Sequence, residues 1–259
     1  MAIFYKILCP SNNSTSYLMG TFHLNHESFK PILEKAEKLL SVSESYFGEM
    51  DLTTVDIQKM NEAMRTQARP GRKILKLLAS KNKYFTKNNI SAIPYPDQMP
   101  LFSMLNELTL KFFRQDLIPG SIDEELLKIA MSKNLKIGGL ETFGEQMEIM
   151  SKMKPKHLEE QIISMLKKPA AFSDTMKDLL NYFIKGKTKK LYRSAEKNTK
   201  GHSKLMIHNR NKIMADRIST LVLNSDANFF SFGAGHLNGP SGIVSQLRKK
   251  GMSVKKIKF

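Results

Sequence analysis

The sequence predicts an α/β fold, with one sheet assembled from the N- and C-terminal segments and a helical insertion in the middle of the chain. Three observations carry this. Short apolar runs of strand character stand at both ends and again between them, helical periodicity fills most of the rest, and two of the strand exits carry the same Gly-x-x-His turn.

Taken in order, Ile3–Leu8 and Ser16–Met19 read as strands. The residues between them, Pro10-Ser11-Asn12-Asn13-Ser14, have a turn composition, so the chain opens on a hairpin. In Glu27–Leu40 the residues Phe29, Ile32, Leu33, Ala36, Leu39 and Leu40 recur at spacings of three and four, the mark of an amphipathic helix. Ser45–Asp51 reads as the next strand. Helices follow over 53–67 and 72–80, broken at Pro70-Gly71, and then a strongly apolar, buried helix over 101–114. After Pro119-Gly120, Ser121 caps a helix running to Ser132, since Glu124 stands three residues on in capping-box spacing. Lys136–Leu140 reads as a buried strand with Glu141 at its end. Residues 144–223 read as helix after helix, interrupted by an exposed linker over Lys185–Lys200, and Lys204–Asn224 reads as one long helix. A strand over Asn228–Phe232, a glycine-rich turn, a helix over Ser241–Lys250 and a strand over Ser253–Lys258 complete the chain. Together they predict a single domain over residues 1–259, with the sheet core from about 1–52, 135–143 and 226–259 and helical insertions near 53–134 and 144–223.

Composition narrows the function classes. A hydrophobic fraction of 41% and a charged fraction of 25% fit a folded soluble chain and exclude wholesale disorder. Cys9 is the sole cysteine, which excludes an intrachain disulfide, a four-cysteine zinc cluster and a CxxC redox pair; a buried structural thiol is expected. No apolar run approaches the roughly 18 residues of a membrane span. The start has no charged lead before its apolar stretch and no Ala-x-Ala pattern, so it reads as a strand, not a signal peptide. A cytoplasmic protein or an exported one whose leader has been removed are both compatible with this, and oligomeric state is not legible.

The 41 basic and 24 acidic residues are unevenly placed. Residues 1–150 hold 18 basic and 17 acidic side chains, which leaves 23 and 7 for residues 151–259. Such a basic half can bind nucleic acid or anionic lipid. Lysine outnumbers arginine 33 to 8, however, and no helix-turn-helix, RNP or zinc-finger pattern is present, so a solvated lysine face is the plainer reading and a nucleic-acid partner is disfavoured.

The chemistry-bearing pattern is a pair. Ser16-Tyr17-Leu18-Met19 runs into Gly20-Thr21-Phe22-His23, and Phe229-Phe230-Ser231-Phe232 runs into Gly233-Ala234-Gly235-His236. Either histidine alone reads as a helix cap or a core contact. The pair, set at equivalent strand exits 213 positions apart, reads as a site at the sheet's carboxyl edge, because neutral imidazole is the commonest metal ligand. Glu49 ends the strand between them. It can complete a three-ligand site or act as general base, and strand alternation puts Asp51 on its face. Arg210 and Arg217 lie seven apart on one helix face, where they are either surface cations or, for Arg210, a group that holds a carboxylate or an oxyanion. Glu141 reads as a partner of a histidine more than as a ligand. His26 reads as an exposed cap residue, and His157, His202 and His208 have no legible partner. No Gly-x-Ser-x-Gly elbow, Gly-Lys-Ser/Thr phosphate loop or His-Glu-x-x-His helix is present.

These segments resemble the TraB/GumN/Tiki family: the two Gly-x-x-His turns, the Glu-x-Asp strand end, Gly139-Leu140-Glu141-Thr142-Phe143-Gly144-Glu145-Gln146, and Gly233 to Ile243 followed by a helix and Lys250-Gly251-Met252-Ser253-Val254. Pro119-Gly120-Ser121-Ile122-Asp123 and Arg210-Asn211-Lys212-Ile213-Met214 fall between them in the family's order. The resemblance covers essentially the whole chain. It implies a fold related to the erythromycin-esterase and ChaN-like proteins, with a site made by His23, Glu49, Arg210 and His236. It also implies a divalent metal (Mn, Co or Zn) on His23, Glu49 and His236, catalytic roles for Glu49 and Arg210, and supporting or substrate roles for Glu141, Asn211 and Asp51. The function expected is a metal-dependent, metalloprotease-like hydrolase acting on peptides or a small-molecule substrate. The alternatives are a non-catalytic peptide or small-ligand binder of the pheromone-inhibition type, and a basic nucleic-acid- or lipid-binding module.

Overall fold

The computed structural model describes residues 3–9, 14–113, 117–199, 201–224 and 227–257. The first half contains β1 (Phe4–Leu8), β2 (Thr15–Thr21), the two-residue β3 (Asn25–His26), α1 (Lys30–Leu40), β4 (Ser45–Met50), α2 (Ile57–Arg65), α3 (Arg72–Ala79), α4 (Asn82–Lys87) and α5 (Leu101–Phe113). The second contains β5 (Leu117–Ile118), α6 (Ile122–Ser132), β6 (Lys136–Glu141), α7 (Phe143–Ser151), α8 (Pro155–Lys167), α9 (Pro169–Ile184), α10 (Thr188–Asn198), α11 (Arg210–Asn224), β7 (Asn228–Gly233), α12 (Ile243–Lys249) and β8 (Ser253–Lys256). These form two compact units. The α/β prediction holds: six strands form one mixed sheet in the order β6-β4-β7-β2-β1-β8, built from both ends of the chain, with helices between.

The first unit takes Met1–Val55, Asp116–Gln146 and Leu179–Phe259. Strands β2, β7, β4 and β6 run parallel, and β1 pairs antiparallel with β2 and β8. All six residues of β7 are buried, which explains why Asn228–Gly233 reads as an unbroken apolar run: a central parallel strand is covered on both faces. The hairpin of β1 and β2 is formed; its expected turn residues Pro10–Asn13 lie outside the described residues, as does the last residue of the expected final strand. Cys9 is buried, as expected.

The second unit takes Asp56–Gln115 and Met147–Asp178 and is all helical. Its core joins Ile74 and Leu78 of α3, Phe85 of α4, Met104, Leu108 and Phe112 of α5, and Ile162 and Leu166 of α8. The residues of α3, α5 and α8 recur at a spacing of four, so one face of each of these helices enters that core.

Four expectations are corrected. Lys185–Lys200 is not an exposed linker, because most of it is α10, which buries Thr188, Leu191 and Tyr192. Those positions, with Ala195, lie on one helix face, and the lysines solvate the other. Lys204–Asn224 is not uniform: Lys204–Asn209 is a π-helical turn leading into α11. Helix α2 starts only at Ile57, since Asp51 caps a separate 3-10 turn (Leu52–Thr54) and Asp56 caps α2 itself. His26 does cap a turn, accepting from the Ser28 N–H at 3.1 Å, but it is buried. Its ring lies beside Phe29, against which Phe22 and Phe183 also pack.

Candidate functional site

Because β2, β7, β4 and β6 are parallel, their carboxyl ends share one edge. Gly20 pairs with Phe232 and Thr21 with Gly233, so the two Gly-x-x-His turns leave neighbouring strands almost level. They also pack reciprocally. A Cβ on Gly20 would fall 2.9 Å from both Cα and Cβ of Ala234, and a Cβ on Gly233 would fall 2.5 Å from His23 Nε2 and 3.4 Å from Glu49 Oε2. Each glycine is small because the other motif occupies the space beside it. Gly20→Ala is therefore expected to destabilise the protein by about 1–3 kcal/mol through overpacking, read from urea unfolding midpoints. An unchanged midpoint would show that this contact relaxes freely.

Glu49, at the end of β4, has both carboxylate oxygens held. Oε1 accepts from Arg210 Nη2 at 2.5 Å, and Oε2 accepts from the Gly233 backbone N–H at 2.8 Å. Burial alone would raise its pKa. Arg210, then His23 and His236, then the Gly233 N–H outweigh that and hold the carboxyl well below the usual range. Glu49 is thus firmly ionised.

Arg210, the first residue of α11, is buried. Its Nε donates to Glu141 Oε1 at 2.8 Å and its Nη2 to Glu141 Oε2 at 2.5 Å, a two-pronged pair, while Nη2 also reaches Glu49. Glu141 sits opposite Met50 in the β4–β6 ladder, which brings the two carboxylates to one guanidinium. These bonds use Nε and Nη2 and leave Nη1 out. Arg217, one heptad on, grips the same strand end: its Nη1 donates to the Leu140 carbonyl at 2.7 Å, and its two terminal nitrogens hold Glu145.

His236 is buried, and its Nδ1 lies 2.5 Å from Asn211 Oδ1. Asn211 Nδ2 donates to the Ser241 carbonyl at 2.9 Å, which fixes the amide with its oxygen toward the imidazole. An amide oxygen only accepts, so Nδ1 carries the proton and Nε2 keeps a bare lone pair. Burial pushes the His236 pKa down to about 4, so the ring is neutral at pH 7.

His23 adopts a φ of 55°, a left-handed conformation rare outside glycine and characteristic of constrained sites. Its Nδ1 lies 3.0 Å from Asp123 Oδ2, and its Nε2 lies 3.7 Å from Glu49 Oε2. The side chain is 57% exposed, with its Nε2 facing Glu49 and packed beside Gly233. Loss of water there lowers the pKa. Asp123, by charge and hydrogen bond, and then Glu49 more than reverse this, lifting it to about 9. Asp123 is delivered by a short relay: β5 pairs with β3, Gly120 turns at φ 88°, and the expected capping box of Ser121 and Glu124 starts α6. Sequence reasoning read this motif but missed Asp123. The signal was available, since a carboxylate just inside a capped helix start is a common interaction point.

The site carries net negative charge. Glu49, Glu141 and Asp123 against Arg210 leave two negative charges before His23 is counted. Nevertheless, among the described residues no three His, Cys, Asp or Glu side chains stand in position to share one metal. A cleft of about 220 Å³ opens beside the site, lined by His23, Glu49, Asp123, Leu127 and Ile137. Asp51 also lines it, although its carboxylate caps the next turn through Thr53 N at 2.9 Å and Thr53 Oγ1 at 2.6 Å. His157 pairs with Gln161, and His208 with Glu196.

The Arg217–Glu145 pair gives a pH expectation. Its side chains are about a third exposed, and Arg217 is the main cause of a Glu145 pKa lowered from 4.5 to about 2. A depressed carboxylate stabilises the fold fully above its unfolded pKa and loses that contribution as pH falls toward the folded one. The Tm difference between wild type and Glu145→Gln is expected to be constant above pH 5 and to shrink steadily below about pH 4.5. A gap that persists unchanged at pH 3 would contradict it.

Among the described residues no helix is long and apolar enough to cross a membrane. The family profile described as TraB/PrgY/gumN matches residues 5–256. A protein named metalloprotease TIKI homolog, from Nematostella vectensis, is 24% identical over 315 aligned positions that cover 94% of this chain and 65% of that protein. The chain thus spans just under two thirds of that relative's length. No solved structure matches.

Proposed function

From the premise that the chain belongs to the TraB/PrgY/gumN family, we propose that it is a metal-dependent hydrolase acting on peptides. One observation carries the reading. Each Gly-x-x-His histidine has Nδ1 occupied by a side-chain oxygen, Asp123 or Asn211, which makes Nε2 the nitrogen for a metal, as in metal-ligating histidines; on His23 it already faces Glu49 Oε2 at 3.7 Å, the carboxylate that would share the ion. The relative named as a metalloprotease supports it.

In this reading His23, Glu49 and His236 hold a divalent ion (Mn, Co or Zn), with His23 giving up its proton to do so. The bound ion would supply Lewis acidity, polarising a peptide carbonyl and activating water near neutral pH. The chain's own groups do the rest. Glu49, kept ionised by Arg210 and the Gly233 N–H, favours a ligand role over that of a strong base. Arg210 offers the free prongs of Nη1 to a developing oxyanion while Glu141 keeps the guanidinium in place. The neighbouring cleft takes the substrate chain.

The non-catalytic binder is a second reading, favoured by the lack of a ready three-ligand set among the described residues and by the prior engagement of Glu49. The two are separated by metal analysis of protein dialysed against Mn²⁺, Co²⁺ or Zn²⁺. Hydrolase function predicts a retained ion that is lost in both His23→Ala and His236→Ala. Wild-type protein that retains none of the three ions puts the binder ahead.

A further inference from the structure

Helix α10 lies against the turn that carries His236. Asn238 Nδ2 donates to Thr188 Oγ1 at 2.8 Å. The Tyr192 ring covers Gly239, whose φ is 113° and where an added Cβ would fall 2.5 Å from the ring's Cδ1. A Cβ on Gly235 would come within 3.0 Å of Ala195 Cβ. The same helix grips the segment leading to Arg210 and Asn211, because Glu196 Oε1 lies 2.9 Å from His208 Nε2 on the π-helical turn that precedes α11.

The hydrogen bonds along this contact have a direction. Tyr192 Oη donates to Glu196 Oε1 at 2.6 Å, since a carboxylate only accepts. Having spent its proton, Tyr192 Oη accepts from Ser241 Oγ at 2.8 Å. Ser241 in turn presents its backbone carbonyl to Asn211 Nδ2 and Gln246 Nε2, each at 2.9 Å. Asn211 then turns its oxygen to His236 Nδ1. The coupling at Ser241 is positional: its hydroxyl is tied to Tyr192, and its backbone carbonyl, which can only accept, is thereby placed for Asn211 Nδ2, whose amide then sets the imidazole tautomer.

We propose that Tyr192 and Glu196 are positioning residues that fix Ser241, and through Asn211 hold His236 with its proton on Nδ1 and its Nε2 lone pair bare toward the site. Neither touches the imidazole. They act through an amide that would otherwise be free to flip and offer Nδ2 to the ring, which would move the proton to Nε2. The proposal rests on reading His236 as a site residue, not on the hydrolase chemistry.

Nitrogen NMR of the histidine side chains tests it at pH 7.5 without metal or substrate, by reading which His236 nitrogen is protonated. Wild type is expected to show a single Nδ1–H pattern. Tyr192→Phe keeps the ring on Gly239 but removes the hydroxyl, and it should give a mixed or averaged pattern. Ser241→Ala should do the same, and Ser241→Thr should restore the wild-type pattern. Thr188→Val, which removes only the Asn238 contact on the same helix, should leave the tautomer unchanged. If Tyr192→Phe and Ser241→Ala both keep the pure Nδ1–H pattern, the proposal is overturned. Co²⁺ titration of the same proteins separates it from the proposed function: Tyr192→Phe should weaken Co²⁺ binding by about 10-fold or more. A tautomer change in a protein whose wild type binds none of Mn²⁺, Co²⁺ and Zn²⁺ would uphold the positioning role and sink the metal site.

Discussion

Glu141→Ala is expected to destabilise the protein by about 3–5 kcal/mol, the range for removing one partner of a buried ion pair. Arg210 is buried, and two of its three hydrogen bonds end on Glu141. Without that carboxylate the buried guanidinium keeps a single short bond to Glu49, and its other donors lose their partners. Urea unfolding with a fixed m-value measures the loss. Glu141→Gln, which keeps the shape and one acceptor, should cost less than Glu141→Ala. A loss below about 1 kcal/mol for Glu141→Ala would mean that Arg210 finds water or swings out, as surface pairs do. Arg217→Ala provides that contrast, since Arg217 and Glu145 are about a third exposed and their charge pairing alone falls in the surface range.

The contrast between the two arginines marks where sequence reading stops. Their spacing of seven put both on one face of α11, but nothing in the local sequence said which would be buried. That depends on β6, whose end meets α11 only in the folded chain: Glu141 takes Arg210, and the Leu140 carbonyl takes Arg217. What was legible had local causes. Strand runs and the capping box of Ser121 and Glu124 are set by neighbours within a few residues, and the two glycine turns were legible as a repeated local pattern. The pairing of those turns was read from their likeness, and its physical reason, each glycine yielding to the other motif, appears only across the β2–β7 ladder. Helix α10 was misread because its lysines outvoted the four positions that face the core and the His236 turn. Asp123 was missed because its partner is 100 residues away, and no periodicity spans that gap.

On the proposed hydrolase reading, Glu49→Gln is expected to remove hydrolysis, with a loss of roughly 10²–10⁴-fold or more, while the protein stays folded. The substitution is nearly isosteric. Its amide oxygen can still accept from the Gly233 N–H, and Arg210 keeps its fork on Glu141, so the loss reports charge more than collapse. Removing that charge also leaves Asp123 as the one carboxylate favouring a protonated His23, which lowers the site's affinity for a cation. Arg210→Lys divides the roles further. An ammonium keeps the charge but cannot fork onto Glu141, reach Glu49 and still offer a free prong, so activity should fall by more than stability does. The rates must be taken per folded molecule, with folding checked by circular dichroism, because Arg210 also serves the fold. Full activity in Glu49→Gln, on any peptide the wild type cleaves, would show that the reacting centre lies elsewhere on this edge of the sheet.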